Sequence, residues 1–280
     1  MSSILIDPNT VLEAIKEIAA DKIEPRFQSL ASKDIKTKTS PSDLVTIADI
    51  EAEQELECFF EDLIPGSIAL GEEAISRNEK SIEQLNDDGT YWVIDPVDGT
   101  HNFAHGKPVF GTMVALVHKG ETVQSWIYDI PGKRAAMAEK GAGASLNAKT
   151  TAIPDANAPL TDIQGYISTR FAPKEIRKEV DSKRDQLGSI DALFCCAHEY
   201  LNIFEGTSKY AVYTRTKPWD HLPGALILNE AGGYLRKWDD SEYGPQAAMG
   251  GILAASDKNI WNSVHELFLH EYIEDKKIFS

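Results

Sequence analysis

Cysteine is scarce in this 280-residue chain, and basic residues are outnumbered by acidic ones. The three cysteines are Cys58, Cys195 and Cys196. An odd count with two neighbours in sequence makes a poor disulfide framework and lacks the spacing of zinc ligands. Lys and Arg number 28 against 44 Asp and Glu, which gives a formal charge of −16. This balance argues against a protein that wraps nucleic acid or adheres to anionic lipid, because both kinds of protein need surplus positive charge.

The sequence also lacks any long apolar run. Stretches such as Met113–Val117 fall far short of the roughly 20 residues that a membrane-spanning helix needs. The first residues have no basic segment and soon reach Asp7 and Pro8, so they do not look like a signal peptide. We therefore expect a cytoplasmic globular protein, and an apolar content of 42% suffices for a substantial core.

The first half of the chain predicts helices followed by strands. Apolar residues at helical spacing predict one helix from Val11 to Ile23, opened by a capping box at Thr10, and a second from Ile47 to Ile64. Short turns between the strand-like runs that follow favour an antiparallel meander. These runs are Ser67–Leu70, Tyr91–Ile94, Val109–Val117, Val123–Tyr128 and Arg134–Ala138.

The second half alternates between strands and helices, which is typical of a mixed sheet covered by helices. A stretch rich in Thr, Pro, Asn and Ala at Ala148–Thr161 is the best candidate for a boundary, dividing the chain into residues 1–150 and 151–280. We expect strands at 165–168, 190–195, 210–214 and 252–255, and helices at 173–184, 198–205, 221–231 and from 257 onward.

The most informative segment is Asp95-Pro-Val-Asp-Gly-Thr100, which follows a predicted buried strand. Pro96 stiffens this turn, and Gly99 tolerates an unusual φ that lets backbone approach a ligand. Two carboxylates beside the start of a short helix suit a phosphate held with Mg²⁺, because the carboxylates bind the metal and the N–H groups bind the anion. Taken alone, the segment is equally consistent with a hairpin turn.

Further acidic residues lie at the ends of predicted elements, each with a purely structural interpretation. Glu72 and Glu73 follow an apolar strand, which alone indicates a solvated loop. Asp220 precedes a predicted helix and alone indicates an N-cap. Asp49 can form a capping box with Thr46.

The order and spacing of the acidic segments are more specific than any one of them. The chain carries Gly71-Glu-Glu73, Asp95-Pro-Val-Asp-Gly-Thr100 with Asn102-Phe103, Trp219-Asp220 with Asn229-Glu-Ala-Gly-Gly233, and the early segment 38–49. This set resembles the inositol monophosphatase family of Mg²⁺-dependent phosphatases over most of the chain. The resemblance implies an α+β and α/β architecture, the layered αβαβα sugar-phosphatase fold. It has an N-terminal antiparallel-sheet half with most metal ligands and a C-terminal mixed-sheet half with Asp220 and part of the substrate pocket.

The resemblance assigns two or three Mg²⁺ ions to the cleft between the halves. It implies that Glu72, Asp95 and the backbone carbonyl of Val97 hold the first ion. Asp95, Asp98 and Asp220 would hold the second, with Asp95 shared because a carboxylate has two oxygens.

The same resemblance implies direct attack by water, without a phosphoenzyme. The Thr100 hydroxyl would orient the water with Glu72 and Asp49 nearby, and the N–H groups of Gly99 and Thr100 would bind the phosphate. Lys38 would add positive charge or pair with an acid of the site, and a plain surface lysine is the other interpretation.

The leaving-group pocket is where the sequence departs from the family. Members that favour inositol phosphates carry an acid seven residues before the Trp-Asp aspartate, and here that position is Tyr213. With Arg215 and Lys217 following, the exchange could favour a substrate with an additional anion, although Tyr213 could equally face the core. Ser168 and Arg170 lie where the family places sugar-pocket residues, and Arg170 could instead be solvated.

His101 and the paired cysteines each have two interpretations. His101 could face the substrate or the solvent. Cys195, Cys196 and His198 could suggest a Cys–His nucleophile. Neighbours in sequence rarely face each other productively, so we expect both cysteines to end a buried strand.

We therefore expect a Mg²⁺-dependent phosphatase for a small polyol or sugar monophosphate, with inositol 1-phosphate as the family's default. Related phosphatases for histidinol phosphate, fructose 1,6-bisphosphate or 3′-phosphoadenosine 5′-phosphate are alternatives. A regulatory, protein-binding member is the alternative of another class, although the intact acidic set argues against lost catalysis. The resemblance also implies Li⁺ inhibition and a homodimer.

Overall fold

The computed structural model describes residues 4, 6–38, 44–154, 158–168, 172, 174–246 and 250–269. Within these residues the helices are α1 (Pro8–Ile18), α2 (Ile47–Leu63), α3 (Glu72–Ser76), α4 (Thr100–Ala104), α5 (Lys174–Ser182), α6 (Cys196–Glu205), α7 (Pro218–Glu230) and α8 (Lys258–Val264). The strands of the first half are β1 (Ile35–Thr37), β2 (Leu44–Thr46), β3 (Ile68–Gly71), β4 (Thr90–Asp98), β5 (Gly111–His118), β6 (Glu121–Asp129), β7 (Arg134–Glu139), β8 (Gly143–Leu146) and β9 (Lys149–Thr150). Those of the second half are β10 (Gly165–Ile167), β11 (Ile190–Asp191), β12 (Tyr210–Tyr213), β13 (Tyr234–Lys237) and β14 (Ile252–Ala255).

Two sheets organise the chain. Strands β3 to β9 lie side by side in chain order, with β3 and β4 parallel and every later pair antiparallel. This confirms the predicted meander. The second sheet has the order β11-β10-β12-β14-β13 and is mixed, because β10 pairs parallel with both neighbours and β14 pairs antiparallel with both of its own. Strands β1 and β2 form a separate antiparallel pair.

The helices and the two large sheets stack in five layers, which confirms the expected αβαβα order. Three apolar cores hold these layers together. The first core lies between α1, α2 and the seven-stranded sheet. The second fills the space between the two sheets and contains α6 and α7. The third lies between the five-stranded sheet and α5 and α8. Because β4 is covered on both faces, Trp92 and Ile94 enter the first core while Tyr91 and Val93 enter the second.

Helix starts are where the sequence-based expectations were wrong. Helix α1 begins after Asp7, whose carboxylate accepts the Asn9 N–H, so Thr10 is not its cap. Helix α7 begins at Pro218, which makes Asp220 its third residue rather than an N-cap. In both helices proline occupies the first position, where its missing N–H is harmless. The predicted capping box of Thr46 and Asp49 is confirmed at the start of α2.

The predicted strand at 190–195 is also too long, and the paired cysteines do not end it. Strand β11 stops at Asp191, Cys195 precedes α6, and Cys196 is its first residue. The described helices include none that is long and apolar enough to cross a lipid bilayer. A domain boundary near residue 150 stays a prediction.

Helices α6 and α7 make a close contact that sets their separation between the sheets. Gly224 of α7 lies against the ring of Tyr200 on α6, and a Cβ atom at Gly224 would come within 2.3 Å of that ring. Since the Tyr200 side chain is fully buried in the central core, the ring has no open space into which it could turn.

We expect Gly224→Ala to lower the free energy of unfolding by about 1–3 kcal/mol through overpacking, although Ala is the better helix former. The control is Gly244→Ala, where a Cβ atom would meet nothing within 4 Å. Thermal unfolding of the two variants measures the difference. Equal melting temperatures would contradict this expectation, because they would show that α6 and α7 accommodate the added methyl group without strain.

Candidate active site

The end of β4 and the turn after it bring five predicted site residues to one end of the large sheet, namely Asp95, Val97, Asp98, Gly99 and Thr100. The pairing of β4 with β5 changes register between Asp95 and Asp98, so the strand is irregular where it delivers these carboxylates. Gly99 then adopts a φ of +86°. A Cβ atom there would lie 2.7 Å from the carbonyl oxygen of Val109, so a larger residue would strain the turn. Helix α4 begins at Thr100, directly after this glycine.

Glu72 reaches the same end of the sheet from the start of α3. The buried carboxylate of Glu53 accepts the backbone N–H groups of Glu73 and Ala74, at 2.7 Å each, and so fixes the first turn of this short helix. The Lys38 ammonium donates to Glu72 Oε1 at 2.8 Å and also to Glu73. The structure thus favours the interpretation of Lys38 as an ion-pair partner within the site.

Glu72, Asp95 and Asp220 meet in a carboxylate cluster. Each contributes an oxygen that lies within 4.8 Å of the others. Among the described residues, Asp95 Oδ1 is buried without a hydrogen-bond partner. Burial, followed by repulsion from Glu72 and Asp98, raises the pKa of both Asp95 and Asp220 well above the usual carboxyl range. The donor set therefore fits a hard divalent cation, which would neutralise the cluster and use the orphaned oxygen.

Asp98 faces the same cleft but is held by a different element. Its Oδ2 atom accepts the Ala197 N–H at 2.6 Å and the Cys195 thiol at 3.1 Å. Burial raises the pKa of Asp98, and the hydrogen bonds from the start of α6 oppose that rise. The N-terminus of a helix favours a negative charge, so α6 orients this carboxylate while keeping it ionised more readily than Asp95.

Thr100 and Asp49 are joined by a hydrogen bond, so the two side chains lie close together as the family resemblance implied. The Thr100 hydroxyl lies 3.1 Å from Asp49 Oδ1 and 2.9 Å from the Val97 carbonyl oxygen. The other Asp49 oxygen accepts the Thr46 N–H at 2.8 Å, so Asp49 caps α2 and contacts Thr100 together. Burial raises the pKa of Asp49 to about 6.

One cleft, with a cavity volume of about 180 Å³, is lined by the carboxylate cluster, by Asp98 and by a more varied set of residues. Ser168 and Tyr213 line it as predicted, and Arg215 and His101 line it too. Lys217 lies instead over the ring of Trp219, 5.4 Å from its centre. Arg170 falls outside the described residues.

Tyr213 packs in the core, as one of the two interpretations expected, and a preference for a substrate with an additional anion stays a prediction. Only 4% of its surface is exposed, and its ring packs 4.6 Å from the ring of His221 within the central core. The same residue nevertheless borders the cleft. An acid at this position would have to be buried beside the apolar core, whereas a phenol closes the wall at lower cost.

The start of α6 contributes cleft residues that sequence reasoning missed. Phe194, Cys196 and Glu199 all line the cleft, as do Leu44 and His221. Pro218 at the start of α7 was a sequence signal that would have placed His221 correctly, but the α6 residues had no comparable signal. Their position depends on the contact between Ala197 and Asp98, which are far apart in sequence.

The cysteines do not form a nucleophilic pair with histidine. The Cys195 thiol donates to Asp98, whereas the His198 ring lies against Phe110 O and Asp129. Cys196 lies near His221, but both nitrogens of that ring have partners, the Tyr200 hydroxyl and the Arg215 carbonyl. Burial lowers the pKa of His221 to about 4, so the ring is neutral. Burial and neighbouring carboxylates also raise the pKa of the Cys196 thiol.

Comparisons with known proteins identify the family of this chain. Residues 7–274 match the sequence profile of the inositol monophosphatase family. The chain is 30% identical over 274 residues to the inositol-1-monophosphatase of Bacillus subtilis (strain 168), covering 94% of this chain and 95% of the relative. It is 27% identical over 239 residues to the Nus factor SuhB of Vibrio cholerae serotype O1, covering 80% and 82%.

Solved structures share the fold over nearly the whole chain. An inositol monophosphatase (IMPase) of Thermotoga maritima superposes with a TM-score of 0.81 at 24% identity, covering 96% of this chain and 98% of that one. An IMPase/NADP phosphatase solved with Mg²⁺ and phosphate gives a TM-score of 0.78 at 20% identity, covering 98% and 95%. With a family match over almost all residues and the acidic cluster in one cleft, this chain belongs to the inositol monophosphatase family and is a phosphatase that hydrolyses phosphomonoesters.

Proposed function

We propose that this phosphatase uses Mg²⁺ to hydrolyse a small polyol or sugar monophosphate of the inositol 1-phosphate type by direct attack of water. The observation that carries the proposal is the meeting of Glu72, Asp95 and Asp220 in a cleft that also contains Thr100. The relative from Bacillus subtilis supports the substrate type. The solved IMPase/NADP phosphatase with Mg²⁺ and phosphate supports the cofactor.

The proposed ligand sets follow the carboxylates of the cleft. Glu72, Asp95 and the Val97 carbonyl would hold one ion, and Asp95, Asp98 and Asp220 a second, within a total of two or three. When bound, such ions neutralise phosphate oxygens, lower the pKa of water and stabilise the departing alkoxide. Oxygen ligands of this kind favour Mg²⁺ over zinc, which prefers nitrogen and sulfur.

The protein's own groups orient the reactants. A Thr100 hydroxyl that donates to Asp49 leaves its oxygen lone pairs available to accept a hydrogen bond from the attacking water. Threonine is a poor base, so the role of Thr100 is to orient the water. The ionised Asp49 carboxylate accepts the hydroxyl proton of Thr100 and so keeps that proton turned away from the water. Glu72 is the second carboxylate on the side of the water.

Binding of the substrate involves the turn at Gly99 and the cleft residues outside the carboxylate cluster. The N–H groups of Gly99 and Thr100 stand at the start of α4, where helical N–H groups lack partners within the helix, and would bind phosphate oxygens. Ser168 and Tyr213 would contact the alcohol portion. Lys38 would balance the charge of Glu72 on the outer side of the cluster.

The location and assembly of the protein are further parts of the proposal. We propose a cytoplasmic homodimer in which residues 1–150 and 151–280 form the two halves around the cleft. The sequence resemblance to the family supports the dimer and the division.

A second function is favoured by one observation. The similarity to the Nus factor SuhB of Vibrio cholerae supports a regulatory, protein-binding role beside catalysis. A binding role of this kind would persist in a variant whose carboxylate cluster no longer supports turnover.

Replacing Asp98 with Asn should lower turnover by three or more powers of ten, because the cluster loses an anionic ligand. The same variant should show a smaller rise in melting temperature on addition of Mg²⁺, since a ligand that binds only the native state stabilises it. Asp62→Asn, on the exposed face of α2, is the matched control and should behave as wild type. Activity above a tenth of normal would remove Asp98 from this role.

Replacing Thr100 with Ala should reduce kcat much more than it changes KM, because the hydroxyl orients water rather than binding the substrate. Thr100→Ser retains the hydroxyl and should restore most of the turnover. Steady-state kinetics of the two variants make the comparison. A change confined to KM in Thr100→Ala would contradict the orienting role.

A phosphate-release screen tests the substrate class and the cofactor together. It should include inositol 1-phosphate, histidinol phosphate, fructose 1,6-bisphosphate and 3′-phosphoadenosine 5′-phosphate, each with and without Mg²⁺. We expect release only with Mg²⁺, the highest rate on a polyol or sugar monophosphate, and stronger inhibition by LiCl than by KCl. Release at the same rate after chelation of divalent ions would refute the proposed cofactor.

A further inference from the structure

Phe194 combines two unfavourable features at the cleft. Among the residues that the structure describes, it is the one large apolar side chain that is exposed, at 48% of its surface. Its φ is +54°, a left-handed conformation that is uncommon for any residue with a side chain and especially for a bulky one. Both features cost free energy, yet both occur where the residue lines the cleft.

The conformation of Phe194 is imposed by its two neighbours. The Leu193 N–H donates to Glu199 Oε1 at 3.0 Å, and the Leu193 carbonyl accepts the Asn102 side-chain amide at 2.8 Å. On the other side, the Cys195 thiol donates to Asp98. The backbone is therefore fixed before and after Phe194, and its ring lies at the cleft instead of entering the core.

The part of the cleft that contains the Phe194 ring is suited to bind a flat group of the substrate. The carboxylates and Thr100 occupy the phosphate end of the cleft, so the alcohol portion of a substrate must lie against the remaining lining. Phe194 contributes an apolar face to that lining, and Ser168, Thr214 and Arg215 contribute polar groups to the same cleft. An apolar face with polar groups at its edge complements a planar ring that carries hydrogen-bonding groups.

We propose that Phe194 determines specificity by stacking against a planar ring in the alcohol portion of the substrate. The preferred substrates are then sugar or polyol monophosphates that also carry an aromatic or heteroaromatic ring, as a nucleotide does. This inference rests on the proposed function, because it assumes that phosphate binds at the carboxylate end. It specifies a substrate class from the part of the lining that contains Phe194, which the acidic cluster alone does not do.

Two esters of similar size test the stacking directly. Benzyl phosphate and cyclohexylmethyl phosphate are both esters of primary alcohols, and they differ in whether the ring is flat and aromatic. In Phe194→Leu, which removes the aromatic ring but keeps an apolar side chain, kcat/KM for the benzyl ester should fall about three- to tenfold. For the cyclohexylmethyl ester it should change less than about twofold. Phe194→Tyr keeps the ring and should retain the wild-type ratio of kcat/KM between the two esters.

Wild-type protein gives an independent measurement that needs no variant. Benzylphosphonate should inhibit more tightly than cyclohexylmethylphosphonate, although the cyclohexyl compound is the more apolar of the two. Equal inhibition constants, or an equal fall for both esters in Phe194→Leu, would overturn the stacking role. In those cases Mg²⁺-dependent release from both esters would still support the proposed function. Absence of Mg²⁺-dependent release in wild type would refute the proposed function itself.

Discussion

Mutual repulsion among buried and half-buried carboxylates is the constraint that the rest of this structure must withstand. Glu72, Asp95 and Asp220 come from a strand and two helices, and their oxygens meet where burial already raises the pKa of Asp95 and Asp220. A flexible scaffold would relieve that repulsion by moving the acids apart. Three apolar cores and two sheets prevent such movement, so the fold maintains an arrangement that is unfavourable by itself and favourable once a cation is bound.

The first turn of α6 links the two ends of the cleft. Its Ala197 N–H holds Asp98 in the acidic group, and the Glu199 carboxylate, two residues later, fixes Leu193 and thereby the unusual backbone of Phe194. The positions of Asp98 and Phe194 therefore depend on the same four residues of α6. A change in the position of this turn would alter the orientation of the carboxylate and the backbone of Phe194 together, so the proposed metal site and the proposed stacking site are not independent in this protein.

Local signals predicted much of the fold, and long-range contacts account for what was missed. Helix α2 and the strands of the meander carry their own periodicity and turn residues, so the sequence predicted them closely. The start of α6 has no conventional cap, because a carboxylate 99 residues away accepts its N–H. Strand β11 was predicted too long because the Leu193 N–H and carbonyl bond to the side chains of Glu199 and Asn102 instead of to a neighbouring strand. The acidic set was found through its order in the chain, whereas Phe194 gave no signal, since nothing in the sequence marks a phenylalanine for a left-handed backbone.

Lys38 gives the acidic site a counterion of its own. Although burial disfavours its charge, Glu72 and Glu73 raise the pKa of Lys38 above the ordinary lysine value, and the ammonium remains protonated. An incoming dication must share Glu72 with this group or displace it. The net affinity of the site is thus a difference between two electrostatic attractions. Because Lys38 directly follows β1, binding of a metal ion is coupled to the position of the end of that strand.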